Sequence, residues 1–230
     1  MTKQYRAFCT RQDLIRSAAE VIGRTGFAEA SLTTISARAG VSTGGLTFHF
    51  RNKQALGEAV ELAAAESLLR VTGHVQLRHP APLQLLVDTS HALARSLAED
   101  PVLRAGFGLG RDATWQSCVA LWGQWQDWVE LMLNVARDRG DLAPDVAPKD
   151  VVSPITAVLA GFEVLRGGSD GDAGQGLRDE LSRFWRLFMP RIAAEPVRNL
   201  IDPDSTHLPL SAGTAALGGA GDYPEICGVA

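Results

Sequence analysis

The stretch LTTISARAGVSTGGLTFHF, Leu32 to Phe50, decides the reading of the whole chain. It holds two short helical patterns either side of one glycine. Thr33 to Ala39 reads as a short helix with Thr33 as its cap and Gly40 as its stop. Ser42 can cap a second short helix that ends near Phe50. Ile35, Ala39, Val41 and Leu46 are the apolar residues that would pack the two together, and Gly40 can take the positive φ of a tight turn. This is the helix-turn-helix arrangement, whose second helix enters the major groove of DNA. Ser42 and Thr43 place hydroxyls at a helix N-terminus, where free amides and the helix dipole attract phosphate. Gly44 and Gly45 carry no bulk to keep a backbone away from DNA. The candidate contacts are Thr33, Ser42, Thr43, Gly44, Gly45 and Thr47, with His49 and Lys53 at the far end.

The surroundings of this stretch are basic. The 230-residue chain has a net charge of only -4, which argues against a general polyanion binder. Residues 1–60, however, carry eight Lys and Arg against four acids, leaving -8 for the remainder. That asymmetry fits a head that faces nucleic acid on an acidic body. With 46% hydrophobic residues a sizeable core is expected. The three cysteines, Cys9, Cys118 and Cys227, stand too far apart for a CxxC pair, and an odd number does not suit a disulfide framework. No apolar signal segment and no span of 18 apolar residues is found, so a cytoplasmic protein with no membrane association is expected.

Further along, almost every periodic segment is helical. Helices are expected over Thr10–Gly26, Asn52 to about Val71, Leu83–Glu99, from Pro101, over Ala113–Arg139, Lys149–Arg166 and Leu177–Ala194, with a Gly/Asp-rich loop at Gly167–Gly176. No run of alternating strand residues appears. From Pro196 on, prolines and a glycine cluster predict a flexible tail. Other motifs are weak. Gly106, Gly108 and Gly110 give GxGxG without a preceding strand, so a dinucleotide cofactor is not expected. His74, His79 and His91 lack the spacing of metal ligands, and Asp170 and Asp172 lack that of a calcium loop, so no metal is expected.

Ile35, Arg38-Ala39-Gly40-Val41-Ser42, Gly44, Leu46, His49-Phe50, Asn52-Lys53 and Leu56 resemble the N-terminal signature of the TetR family of bacterial repressors. Thr47 stands where that family commonly has a phosphate-contacting tyrosine, and Ser36 where alanine is usual. Pro101-Val102-Leu103-Arg104-Ala105-Gly106 with Leu109, Trp125 ahead of Met132-Leu133, and Trp185 with Leu187 and Pro190 resemble the γ-butyrolactone autoregulator receptors of actinomycetes, a subgroup of that family. The resemblance implies an all-α chain with three parts. Residues 1–53 form an N-terminal three-helix helix-turn-helix DNA-binding domain, residues 54–195 a helical ligand-binding and dimerisation domain, and residues 196–230 a tail. It implies a homodimer that holds a palindromic DNA operator and releases it on binding a small effector of butyrolactone, furan or butenolide type. Trp125 matches a pocket-lining position of the subgroup.

The residues of the body agree in part. Trp115, Trp122, Trp125 and Trp128 crowd together, the last three at i, i+3 spacing on one side of a helix. A tryptophan offers an apolar face and one N–H donor, which suits an apolar ligand with a polar ring. Core packing or a dimer contact is the competing reading for any one of them. Phe107 from the preceding helix, a hydroxyl such as Thr156 on the facing helix, and Arg104 for a carboxylate complete the candidate effector set. The dimer face is expected on Val151–Arg166 and Leu177–Ala194. The rival readings are a drug-sensing repressor of an efflux pump and, from another class, a helical enzyme with a vestigial helix-turn-helix.

Overall fold

The computed structural model describes residues 3–73, 81–166 and 173–206, and every regular element among them is a helix. Helix α1, Lys3–Glu29, buries Leu14, Ile15, Ala18, Ala19 and Ile22 along one face. Gly26, expected to end it, only bends it: the residue takes φ 77° and one more turn follows. Helix α2, Leu32–Arg38, starts one residue earlier than expected. Ser31, not Thr33, holds its cap position, and Ser31 makes no side-chain cap bond. Gly40 turns the chain with φ 68°. Helix α3, Thr43–His49, is capped by Ser42, whose Oγ accepts the Gly45 N–H at 3.0 Å. Ile35 and Leu46 are wholly buried against α1, so α1–α3 close around one small core.

Helix α4, Lys53–Gly73, has Asn52 before it, whose Oδ1 accepts the Ala55 N–H at 2.8 Å. Its first half gives Leu56, Ala59 and Val60 to the head's core. Its second half gives Ala64, Ala65 and Leu68 to the body's core. The division expected between residues 53 and 54 therefore falls at the start of a helix that both cores share. Helices α5 (Pro82–Glu99) and α6 (Pro101–Leu109) each open on proline. With α7 (Leu121–Asp138), α8 (Pro148–Arg166) and α9 (Ala173–Ile192) they enclose Leu86, Leu93, Phe107, Trp125, Val129, Leu159, Leu181 and Trp185. The Trp185 Nε1–H donates to Ser90 Oγ at 2.8 Å.

Two expectations are corrected. The helix expected over Ala113–Arg139 begins only at Leu121. Side-chain bonds compete with helix formation over the preceding residues. Asp112 Oδ1 accepts from the Thr114 N–H and hydroxyl, and Ser117 and Cys118 bond to Glu61 on α4. Ala120 then takes left-handed φ 50°, ψ 60°. At the other end of the body, α9 begins at Ala173, inside the expected Gly167–Gly176 loop. Asp170 and Asp172, His74 and His79, and Cys227 lie outside the described residues.

The expected flexible tail is also corrected as far as Thr206. A short helix α10, Glu195–Arg198, follows α9, and the chain then packs against α5 and α9. The Asp202 N–H donates to Gln84 Oε1 at 2.6 Å, and Gln84 Nε2 donates back to Asp202 O at 3.1 Å. His91 Nε2 lies 2.9 Å from Pro203 O. A carbonyl can only accept, so Nε2 carries the proton. Burial holds the His91 imidazole below its ordinary pKa, which keeps the ring neutral in that role. Arg186 grips both carboxylate oxygens of Asp204. The prolines stop helix formation here, but the polar groups between them find partners on the body. A chain cut after Arg198 should therefore melt about 5 °C below one ending at Thr206, from roughly 1 kcal/mol per lost partly buried hydrogen bond. Calorimetry of the two chains checks this, and equal melting temperatures would contradict the packing role.

Candidate nucleic-acid interface and effector site

The outer face of the helix-turn-helix is built from what the inner face leaves over. Leu46 and Phe50 point into the core, so the residues near the opposite side of α3 face solvent. Thr43, Gly44, Thr47 and Phe48 are exposed there, Gly45 and His49 are half-buried, and Thr33 is exposed on α2. Three of the candidate hydroxyls are already engaged, Thr43 Oγ1 with Ser36 Oγ at 3.5 Å. Ser42 Oγ caps α3, and Thr47 Oγ1 donates to Gly44 O at 3.0 Å. Phe48 is missing from the sequence-derived set, yet it is 82% exposed on this face. Its signal was legible: two residues beyond Leu46, it sits about 200° round the helix from the buried stripe. Its ring meets that of His49 edge-on at 5.3 Å between centroids.

Lys53 is placed differently from its expected role. Its Nζ donates to the carbonyls of Phe27, Ala28 and Ala30 at 2.9, 2.8 and 3.1 Å, and it lies 4.8 Å from the Phe27 ring centroid. All three ammonium donors are thus used on the end of α1 and the turn that follows. Other basic groups of the head are similarly engaged. Arg38 pairs with Glu20, Arg24 Nε donates to Glu20 O, and Arg11 lies over the Phe50 ring.

In the body, Trp125 and Phe107 are wholly buried and Thr156 nearly so. Trp125 stacks on Trp128 with centroids 5.2 Å apart and planes at 19°. Trp122 turns elsewhere: its Nε1–H donates to Phe107 O at 3.2 Å and its ring meets Phe107 edge-on. Trp115 lies in the α6–α7 loop and joins the head's core, apart from the other three. Arg104 is exposed, and its guanidinium donates to the last carbonyls of α5, Leu97 O and Ala98 O. The notable feature is a shortage of partners. Trp125 Nε1, Trp128 Nε1 and Thr156 Oγ1 are buried without any hydrogen-bond partner, on the packed helices α7 and α8. A cleft of about 730 Å³ lies elsewhere, between α1, α6 and the end of α8, and of the effector candidates only Arg104 lines it. Among the described residues no cluster of three or more potential metal ligands occurs, and no helix is long and apolar enough to cross a membrane.

A three-helix head whose second short helix presents an outward face, carried on a larger helical body, defines a helix-turn-helix regulator. Residues 14–60 match the bacterial regulatory proteins of the tetR family. The A-factor receptor protein of Streptomyces griseus is 31% identical over 206 residues, covering 89% of this chain and 71% of that protein. The chain belongs to the TetR family. Solved structures show the same fold. A γ-butyrolactone receptor (ArpA-like protein) superposes with TM-score 0.75 over 88% of this chain and 97% of its own, at 23% identity. CprB of Streptomyces coelicolor, in complex with its biological operator sequence, does so with TM-score 0.71 over 85% and 94%, at 23% identity.

The position of Lys53 has a measurable consequence. Lys53→Ala should lower the unfolding free energy by about 1.5–3 kcal/mol with no DNA present, since hydrogen bonds from a charged donor are lost. Denaturant titration checks it; an unchanged midpoint would return Lys53 to the free surface.

Proposed function

We propose that this chain is a transcriptional repressor, a DNA-binding regulator and not an enzyme. As a homodimer in the cytoplasm it binds a pseudo-palindromic operator and leaves it on binding a small molecule of γ-butyrolactone or related furan type. The observation that carries the reading is the likeness to the A-factor receptor protein along 89% of this chain, head and body together. A match confined to the head would serve any TetR-type sensor; the likeness through the body favours the hormone class over a drug-sensing efflux repressor.

Features of the structure support the DNA, dimer and effector parts of this reading. Thr33, Thr43, Gly44, Thr47 and Phe48 are exposed for the major groove, and an aromatic ring there has the apolar surface that thymine methyls match. Ser42, Gly45 and His49 border that row, while Lys53 acts by fixing the frame. For the dimer, Val164 and Leu165 on α8 and Leu187 on α9 are exposed, the two leucines by 84% and 82%. Exposed apolar side chains on both helices of the expected dimer face are what a subunit contact would cover. For the effector, Trp125, Trp128 and Thr156 hold unpaired donors in an apolar core, which is what a lactone's oxygens need. Phe107 and Trp122 would form the wall beside them, and Arg104 would stay outside the pocket.

The experiment selects the operator from random DNA with the purified protein, then titrates the complex with an alkyl-chain γ-butyrolactone and, in parallel, with lipophilic drugs. Release by the lactone alone supports the reading. Release by drugs alone moves the protein to the efflux class, and recovery of no DNA site defeats it. On the same complex Trp125→Ala should cost about 2 kcal/mol or more of lactone affinity, as large aromatic anchors do. Apo operator binding should persist. If the variant lets go of DNA at the wild-type lactone concentration, Trp125 is a packing residue.

A further inference from the structure

We propose that the loop joining α6 to α7, residues 110–120, is a strut that fixes the head's place on the body and so sets the spacing of the two recognition helices in the dimer, with Asp112, Trp115 and Glu61 as its positioning residues. The inference rests on the operator-binding reading above.

The strut has three attachments. At its start, Asp112 Oδ2 accepts the backbone N–H of Phe27 at 3.2 Å. The other oxygen, Oδ1, accepts from Thr114 N at 2.8 Å and from its hydroxyl at 2.6 Å, so the carboxylate holds its own loop and the head together. Those Thr114 bonds first, and then Phe27, hold the Asp112 carboxyl below the usual range, so it is ionised as an acceptor should be. In the middle, the buried Trp115 ring meets the Phe27 ring edge-on, with centroids 4.6 Å apart. It fills the space that α4 leaves at Gly57: a Cβ there would stand 2.6 Å from two indole atoms and 3.0 Å from the Phe27 ring. One turn further along α4, the wholly buried Glu61 takes the third attachment. It accepts from Ser117 Oγ, from the Cys118 N–H at 2.8 Å and from the Cys118 thiol at 3.0 Å. Burial pushes the Glu61 carboxyl up, but the bonds from Ser117 and Cys118 outweigh it and hold it below the usual range. Burial, and then the neighbouring carboxylate, push the Cys118 thiol up to about 11, so it remains a donor.

The head end of the strut lies where leverage is greatest. Phe27 is at the joint between α1 and α2, from which the helix-turn-helix hangs. Lys53 grips the carbonyls of that joint from the first turn of α4. Asp112 and Trp115 grip it from the body. The joint at Phe27 is therefore held by groups from both sides, in addition to the tie that α4 makes through both cores, and it bears on where α3 can stand.

The test uses the full chain, with Asp112→Ala to remove the Phe27 bond and Gly57→Ala to push the indole from its slot. Operators are compared with their half-sites at the selected spacing and one base pair wider. A fixed head separation discriminates against the wider operator; a loosened one tolerates it. Each variant should lose about tenfold or more of that discrimination, while affinity for a single half-site stays within about twofold. A general loss of folding would lower all affinities together and leave the ratio unchanged. The second measurement needs no DNA. Amide hydrogen exchange of the segment containing Phe27 should quicken about tenfold in Asp112→Ala, with segments of α7 unaffected. Unchanged spacing discrimination with unchanged exchange overturns the strut. If the wild type finds no operator, the DNA reading fails and the exchange experiment alone decides whether the loop fastens head to body.

Discussion

The structure depends on one helix being asked to serve two cores. Helix α4 is 21 residues long, about 30 Å of continuous backbone hydrogen bonding. Leu56, Ala59 and Val60 are buried among α1–α3 and α6, while Ala64, Ala65 and Leu68 are buried among the body helices. Neither set can be given up without opening a core, at several kcal/mol for a large side chain. Head and body therefore cannot move as beads on a string. Whatever displaces the second half of α4 reaches the first half through a rod, not a linker.

Small residues make that arrangement possible. Gly106 on α6 faces Ala64 on α4, and a Cβ at Gly106 would come within 2.3 Å of the Ala64 methyl. Two helices that meet without side chains between them approach closely, and close packing resists sliding. Gly57 serves the same helix one face away, where it admits Trp115. The tryptophan that composition groups with the body's aromatic cluster thus belongs to the head, because a glycine on α4 leaves room for it there.

This is also where reading the sequence stopped short. The helix-turn-helix was legible because its requirements are local: a positive φ at Gly40, a cap at Ser42, and buried Ile35 and Leu46 at helical spacing. The helix start at Pro101 was legible for the same reason, whereas Pro82, read as a breaker ahead of Leu83, is itself the first residue of α5. The 113–120 segment was not. Its helical look comes from composition, but its conformation is fixed by Glu61, 56 residues from Ser117. The packed segment 199–206 was hidden likewise, since its partners Gln84 and His91 are more than a hundred residues away. Lys53 shows the converse case. A lysine at the edge of a basic head invites a phosphate, yet three carbonyls at the end of α1 lie within its reach and need a donor. The charge excess of the head measures its electrostatic field, not its list of DNA contacts.

The body core raises the opposite question, of groups that have no partner. On the effector reading, the closed state with Trp125 and Phe107 wholly buried is the one without ligand. Three buried polar groups, Trp125 Nε1, Trp128 Nε1 and Thr156 Oγ1, then remain unsatisfied. Each such group costs about 1–3 kcal/mol. A core built only for stability would place phenylalanine and valine at these positions. The cost makes sense if a second state satisfies them, because a ligand shifts an equilibrium only through its different affinity for the two states. Driving a two-state switch from about 1:99 to 99:1 takes about 5.5 kcal/mol. Three newly made hydrogen bonds in a dry pocket are of that size, so the unsatisfied donors can supply the difference in affinity that the apolar contacts alone would not.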